Sequence, residues 1–206
     1  MEQAREIVNN IRRRNGGITE EQRAELGTDL TEVYQNLQSL AGRSIRHVAE
    51  DLYDSDTRFI FELIQNAEDN RYESALSRNE SPYIHFTLHD DRLVIDSNED
   101  GFNEEDVRAI CSIHNSSKPL TGGYIGHKGI GFKSVFKVAQ RVQIQSGPFC
   151  FSFQHCRNES GLGMITPSNQ EHEALPDEKI STHEPQSSLK YQTHSSYFFR
   201  NSKRLQ

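Results

Sequence analysis

Glu62, Asn66 and Asp69 are spaced by four and then three residues within the stretch 59–70, which reads FIFELIQNAEDN. On a helix, this spacing places the three polar side chains on one face. A carboxylate and an amide inside a core need partners, because an unpaired buried polar group costs about 1–3 kcal/mol. A nucleotide with its metal ion is one such partner, and a stripe that simply faces water is the alternative. The other residues predict a helix buried round most of its circumference: Phe59, Ile60, Phe61, Leu63, Ile64 and Ala67.

A glycine-rich turn, Gly126 to Gly131 within GHKGIGFKSVF, supplies the second chemical feature. Glycines let a backbone approach a ligand closely, and free amides at the start of the predicted helix 132–139 suit an anion such as phosphate. The turn is not a P-loop, because Phe132 separates Gly131 from Lys133 where a P-loop needs Gly-Lys-Ser/Thr in adjacent positions. A protein kinase is also excluded, since neither His-Arg-Asp nor Asp-Phe-Gly follows the turn.

Together, and in this order, the two stretches resemble the GHKL ATPase superfamily, which includes gyrase, the ninety-kilodalton heat-shock chaperone, histidine kinases and MutL. FIFELIQNAEDN and IGHKGIGFKSVF are most similar to its sacsin-like and NO VEIN-like branch. The resemblance covers roughly residues 44–166. It implies an α+β fold of the GHKL (Bergerat) type, a two-layer sandwich in which a mostly antiparallel sheet carries helices on one face.

ATP and Mg²⁺ are the ligands that the resemblance implies, held between helix 58–72 and the loop 114–131. By the family's pattern, Glu62 orients or deprotonates the attacking water and Asn66 gives an oxygen to Mg²⁺. Asp69 then faces the ribose or adenine side, or is a surface carboxylate near Arg71. Phosphate contacts are expected from lysines that are otherwise solvated, and from backbone amides of the turn: Lys118, Lys128 and Lys133; Gly126, Gly129, Ile130, Gly131 and Phe132.

The adenine contact departs from the family's Asp-x-Gly-x-Gly signature, because residues 96–102 read DSNEDGF. Anchoring the signature on Gly101 places Ser97 where the family has its adenine-binding Asp. Asp96, Ser97 and Asn98 are therefore all candidates to bind the base. Asp96 ranks first, because it ends a predicted strand on the ligand side of this fold class, and Asn98 ranks second.

Composition narrows the class of protein further. A net charge of −7 argues against electrostatic binding of nucleic acid. The sequence has neither an apolar run long enough for a bilayer nor an N-terminal apolar signal segment. Its three cysteines form no Cys-x-x-Cys pair, which is typical of reduced thiols. We therefore expect no membrane contact and an intracellular location, cytoplasmic or nuclear.

The elements around these motifs divide the chain into three parts. Residues 1–43 predict an N-terminal helical segment, 44–166 the nucleotide-binding domain, and 167–206 a polar and largely disordered tail. Within the first two parts, Gly42 is expected to end one helix and Ser44 to cap the next. Alternating residues predict a hairpin over 83–96 and strands over 141–145, 149–154 and 162–166.

These features predict a Mg-ATP-binding, chaperone-like GHKL domain with slow ATP hydrolysis. Two alternatives stay open: a nucleotide-gated or nucleotide-free protein-interaction module, and a degenerate, truncated family member. The implied partners are ATP or ADP and a protein client, and the pattern leaves room for a dimer. In the family, a basic residue after the domain completes the site. Because the tail resembles no such domain, we expect turnover to be very slow, with loop 114–127 ordering on nucleotide binding.

Overall fold

Five helices precede the first strand of the sheet. The computed structural model describes residues 1–51, 57–112, 131–155, 161–173 and 195–200. The Thr19 hydroxyl and the Gln22 side chain form a capping box at the start of the second helix. The helices, in chain order, are α1 (Glu2–Arg14), α2 (Glu20–Glu25), α3 (Gly27–Asp51), α4 (Arg58–Glu68), α5 (Glu73–Ser77), α6 (Glu104–Ile110) and the 3₁₀ helices Gly131–Lys137 and Gly161–Met164.

The strands of the described residues form one antiparallel sheet in the order β1-β2-β6-β3-β4-β5. The predicted hairpin is confirmed, with Phe86 opposite Ile95. Helices and an antiparallel sheet together confirm the α+β class. The strands are β1 (Ile84–Leu88), β2 (Arg92–Ser97), β3 (Arg141–Ser146), β4 (Phe149–Gln154), β5 (Ser168–Asn169) and β6 (Ser195–Arg200).

One hydrophobic core lies between the helices and one face of the sheet. Alternation along the strands sends every second side chain to this face. The helices contribute their inward residues to the same cluster. Members from the strands are Ile95, Val142, Ile144, Phe149, Phe151 and Phe153, and members from the helices include Val8, Ile45, Phe59, Leu63, Val107, Phe132 and Val135.

Four expectations about the elements differ from the structure. Residues 131–137 form a 3₁₀ helix rather than an α-helix, and residues 161–164 form a second 3₁₀ helix where a strand was predicted. The segment 167–206 was expected to be largely disordered, yet it supplies β5 and places β6 in the centre of the sheet. The helix α4 is not buried all round, since Phe61 is 65% exposed and Ile64 is 42% exposed.

The helix α3 also runs without a break across the predicted boundary at residue 43. Gly42 does not end it, and Gly161 approaches the helix closely at this point, since a Cβ built on Gly161 would lie 2.4 Å from the Gly42 carbonyl oxygen. Ser44 does not cap a new helix, since its hydroxyl donates back to the Leu40 carbonyl at 3.1 Å. Helices α1 and α3 pack on the same core as the rest of the chain, through residues that include Val8 and Ile45.

Candidate functional site

The two predicted motifs meet at the contact between Glu62 and Gly131. A Cβ atom built on Gly131 would lie 2.0 Å from Oε2 of Glu62, so any side chain at position 131 would displace the carboxylate. Helix α4 thus presents its acidic residue directly to the last glycine of the glycine-rich turn. The absence of a side chain, rather than an unusual backbone angle, is what position 131 requires.

Among the described residues, the Glu62 carboxylate is held on one side by a single ion pair. Its side chain is 14% exposed, and Oε1 accepts from Nε of Arg58 at 3.0 Å, one turn earlier on α4. Arg58 itself is 54% exposed. The ion pair fixes the direction of the carboxylate while its second oxygen stays at Gly131.

Asn66 and Asp69 follow on the same helix. Asn66 is half-buried, and within the described part of the chain its amide takes part in no hydrogen bond. Asp69 is exposed at the end of α4, where its backbone amide donates to the Gln65 carbonyl. The structure therefore brings Asn66 to the same face as Glu62 and leaves Asp69 on the rim of that face.

A magnesium ion is compatible with this face. The Asn66 amide oxygen is the kind of hard ligand that Mg²⁺ takes, and no side chain of the described residues uses it. The described residues contain no group of three or more His, Cys, Asp or Glu that could hold a metal by themselves. Phosphate and water oxygens would have to complete the coordination, as is usual for Mg²⁺ bound with a nucleotide.

The geometry of β2 does not favour Asp96 as the adenine-binding residue. Asp96 follows Ile95, which faces the helices, so the Asp96 side chain points to the opposite face of the sheet. There it accepts from the Tyr83 hydroxyl at 3.2 Å. Ser97, the position that the motif alignment favours, lies on the helix side, 3.4 Å from the Tyr72 hydroxyl.

Asn98 and Gly101 are occupied in holding the loop after β2. The Asn98 side chain is fully buried, accepts from the Tyr83 amide at 2.8 Å and donates to the Ser81 carbonyl at 3.0 Å. Gly101 has a φ of +87° and packs against the turn after β3, where a Cβ would lie 3.4 Å from the Gly147 amide nitrogen. The two residues shape the loop, and the Asn98 side chain is used by the backbone of Ser81 and Tyr83.

Sequence reasoning missed the contacts that join this loop to the end of α4. Asn70 donates to a carboxylate oxygen of Glu99, which is 2% exposed. The Tyr72 hydroxyl donates to the Ala67 carbonyl at 2.7 Å and lies beside Ser97. Burial raises the pKa of Tyr72, and the negative charge of Glu99 adds to the effect. The sequence signal that could have indicated Asn70 is its spacing, since it lies four residues after Asn66.

Lys133 is not available for phosphate. Its ammonium group is buried, donates to the Ile110 carbonyl at 2.5 Å and to the Met164 carbonyl at 2.7 Å, and lies 5.1 Å from the centre of the Phe153 ring. Burial lowers the pKa of Lys133 to about 8. Phe132 is also in the core, so its backbone amide alone can serve a ligand.

The remaining predicted contacts lie outside the described residues: Lys118, Gly126, Lys128, Gly129, Ile130 and the rest of loop 114–130. Within the described part of the chain, no helix has the length and hydropathy needed to cross a membrane.

The fold and this face define an α+β protein in which one helix places a carboxylate against Gly131 and carries an amide on the same face. No protein-family model matches the chain. Over 152 residues the chain is 40% identical to "Protein NO VEIN" of Arabidopsis thaliana, an alignment that includes 71% of this chain and 5% of that protein. This similarity supports the NO VEIN-like relationship predicted from the two motifs. The chain spans a small fraction of the length of the curated relative that it matches.

Proposed function

We propose that this chain is a Mg-ATP-binding, chaperone-like domain of the GHKL type that hydrolyses ATP slowly. The observation that carries the proposal is the contact between the Glu62 carboxylate and Gly131. It joins the helix motif to the glycine-rich turn, the two features that the GHKL resemblance pairs around a triphosphate. The 40% identity to Protein NO VEIN supports the same branch of that resemblance.

Each residue of the face has a proposed task. Glu62 accepts a proton from a water as that water attacks the terminal phosphorus, the bond from that phosphorus to the bridging oxygen breaks, and ADP leaves. Arg58 keeps the Glu62 carboxylate directed at the turn. Asn66 would hold Mg²⁺, which supplies charge neutralisation at the phosphate oxygens.

The base end of the nucleotide is assigned to the loop after β2. Ser97 lies on the helix side of the sheet, and Tyr72 lies beside it. We assign the adenine contact to Ser97 rather than Asp96, because alternation along β2 directs Asp96 away from α4. Two residues after Ser97, Glu99 accepts from Asn70 and so ties this part of the chain to the end of α4.

A protein-interaction module without nucleotide is the second candidate, and the exposed apolar residues of α4 favour it. Phe61 and Ile64 lie on the helix that carries Glu62, and both are exposed. Apolar side chains beside a polar face are typical of protein contacts. In this case the polar stripe would contact a partner's backbone instead of phosphate.

Thermal unfolding with and without nucleotide separates the two candidates. Saturation at about 100 times the dissociation constant should add roughly 2.7 kcal/mol to the free energy of unfolding. We expect ATP and ADP with Mg²⁺ to raise the melting temperature and GTP to raise it less. No rise with any nucleotide at millimolar concentration would remove the ATP-binding proposal and leave the interaction module.

A further inference from the structure

An apolar stripe runs along the outward face of α3. Leu30, Val33, Leu37 and Leu40 are 54% to 61% exposed although each is a large apolar residue. Other residues form the inward face of the same helix. The hydroxyl of Tyr34 and the amide of Gln38 donate hydrogen bonds to the Gly16 carbonyl. The stripe is therefore a second face that the described part of the chain leaves uncovered.

The spacing along the stripe is that of a coiled-coil seam. The intervals from Leu30 to Leu40 are three, four and three residues, which places the four side chains at alternating a and d positions of a heptad. A stripe at this spacing matches the knobs and holes of another helix with the same repeat. Its length of about two heptads indicates a weak rather than an obligate contact.

Charged residues beside the apolar stripe indicate which helix would pack against it. Asp29 and Arg43 occupy g positions on one edge of the stripe, and both are exposed. Within the described residues neither forms an ion pair. In an antiparallel pair of helices, g positions face g positions across the seam. A second copy of α3 would then place its Arg43 beside Asp29 and its Asp29 beside Arg43.

We propose that α3 is a self-association surface that pairs with α3 of a second copy of this chain in antiparallel orientation. The apolar layers that go with the two ion pairs are Leu30 against Leu40 of the partner subunit and Val33 against Leu37 of the partner subunit, each formed twice by the two-fold symmetry. A parallel pair is disfavoured, because it would place the Asp29 carboxylate beside Tyr34 of the partner subunit and leave the charges unmatched.

Sedimentation velocity of the full chain at increasing concentration tests the surface. The wild type should pass from monomer to dimer at micromolar to high-micromolar concentration. Leu37→Glu should weaken the dimer by at least about tenfold, because it places a charge in a central apolar layer. The matched control is Leu88→Glu, at a residue of β1 that is 70% exposed and lies outside the stripe. It should leave the dissociation constant unchanged.

A charge exchange tests the antiparallel orientation. Asp29→Arg alone and Arg43→Asp alone should each weaken self-association, since each sets like charges opposite one another. An equimolar mixture of the two variants should form a heterodimer with nearly wild-type affinity, because both cross pairs are again Arg with Asp. A chain that stays monomeric at high concentration would overturn the proposal. So would a dimer that survives Leu37→Glu, or a mixture that associates no better than the separate variants.

Discussion

Glu62 on α4 and Lys133 on the 3₁₀ helix Gly131–Lys137 belong to the two stretches that predicted a nucleotide site, but their surroundings differ. Lys133 gives its ammonium protons to the carbonyls of Ile110 and Met164 and is enclosed by aromatic rings. Glu62 is bound by Arg58 on one side and lies against Gly131 on the other. The Lys133 charge is part of the core, whereas the Glu62 charge lies against Gly131.

This difference shows how to separate structural from functional charges in a motif. A charged group that is buried and already donates to backbone carbonyls is closed to a ligand. A carboxylate fixed on one oxygen, with its other oxygen at a glycine backbone, can still act on a substrate. The following predictions test this contrast, beginning with the largest expected effect.

Glu62→Gln should reduce the rate of ATP hydrolysis by about 10²–10⁴-fold while nucleotide binding stays within a few-fold of the wild type. The amide keeps the shape of the side chain but cannot accept the proton from water. Single-turnover phosphate release and equilibrium binding measure the two effects separately. Equal loss of binding and turnover would show that Glu62 has a structural role, as Lys133 does.

Gly131→Ala should cause much of the same loss in the rate of ATP hydrolysis, because Gly131 lies against the Glu62 carboxylate. The new methyl group would displace the Glu62 carboxylate, whose flexible end can move at small cost to stability. Phosphate release and a melting curve should show slow turnover in a folded protein. An unchanged rate would mean that the carboxylate does not act from its position at Gly131.

Lys133→Ala should lower the free energy of unfolding by about 2–5 kcal/mol, because it leaves two buried carbonyls unpaired and a cavity in the core. Urea unfolding measures the change, with Lys137→Ala, a half-buried lysine one turn later, as the control. The nucleotide affinity of the folded variant should not change. A folded Lys133→Ala protein with much weaker ATP binding would show that Lys133 contributes to the nucleotide site.

The pH dependence of stability should distinguish Lys133→Met from the wild type. The pKa of Lys133 is about 8 in the folded protein against an ordinary value of 10.5, so between these values the unfolded chain binds more protons. The wild type should therefore gain stability relative to Lys133→Met as the pH rises from 8 toward 10.5, by about 1–3 kcal/mol. Urea unfolding at several pH values tests this, and a difference that falls with rising pH would contradict the burial of the ammonium group.

Asn66→Ala should weaken ATP binding about tenfold when Mg²⁺ is present and little when it is chelated, because the amide is assigned to the metal ion. Gln65→Ala, on the exposed face of α4, is the matched control. Equal losses in the two conditions would show that Asn66 only supports the helix.

Much of the local structure could be predicted from the sequence. The Thr19 capping box, the hairpin over β1 and β2, and the strands β3 and β4 follow from local propensity and alternation. The strand β6 could not be predicted, because it pairs with β2 and β3 and depends on partners far away in the chain. The unbroken course of α3 through Gly42 could not be predicted either, because a glycine followed by a serine is a local signal for the end of one helix and the start of another.

The candidate site also has parts that the sequence could predict and parts that it could not. Helical spacing was sufficient to place Glu62 and Asn66 on one face. The choice between Asp96 and Ser97 needed the register of β2, because a shift of one residue moves a side chain to the other face of the sheet. The burial of Lys133 needed the positions of Ile110 and Met164, which no motif contains.

Calorimetric titration of the full chain with ATP, once with Mg²⁺ and once with the metal chelated, tests the central claim most directly. If the polar stripe of α4 and the glycine-rich turn bind a nucleotide through Asn66 and Mg²⁺, one ATP should bind per chain with micromolar affinity. Chelation should then weaken that binding about tenfold or more. No heat of binding at millimolar ATP, or binding that does not depend on Mg²⁺, would contradict the account.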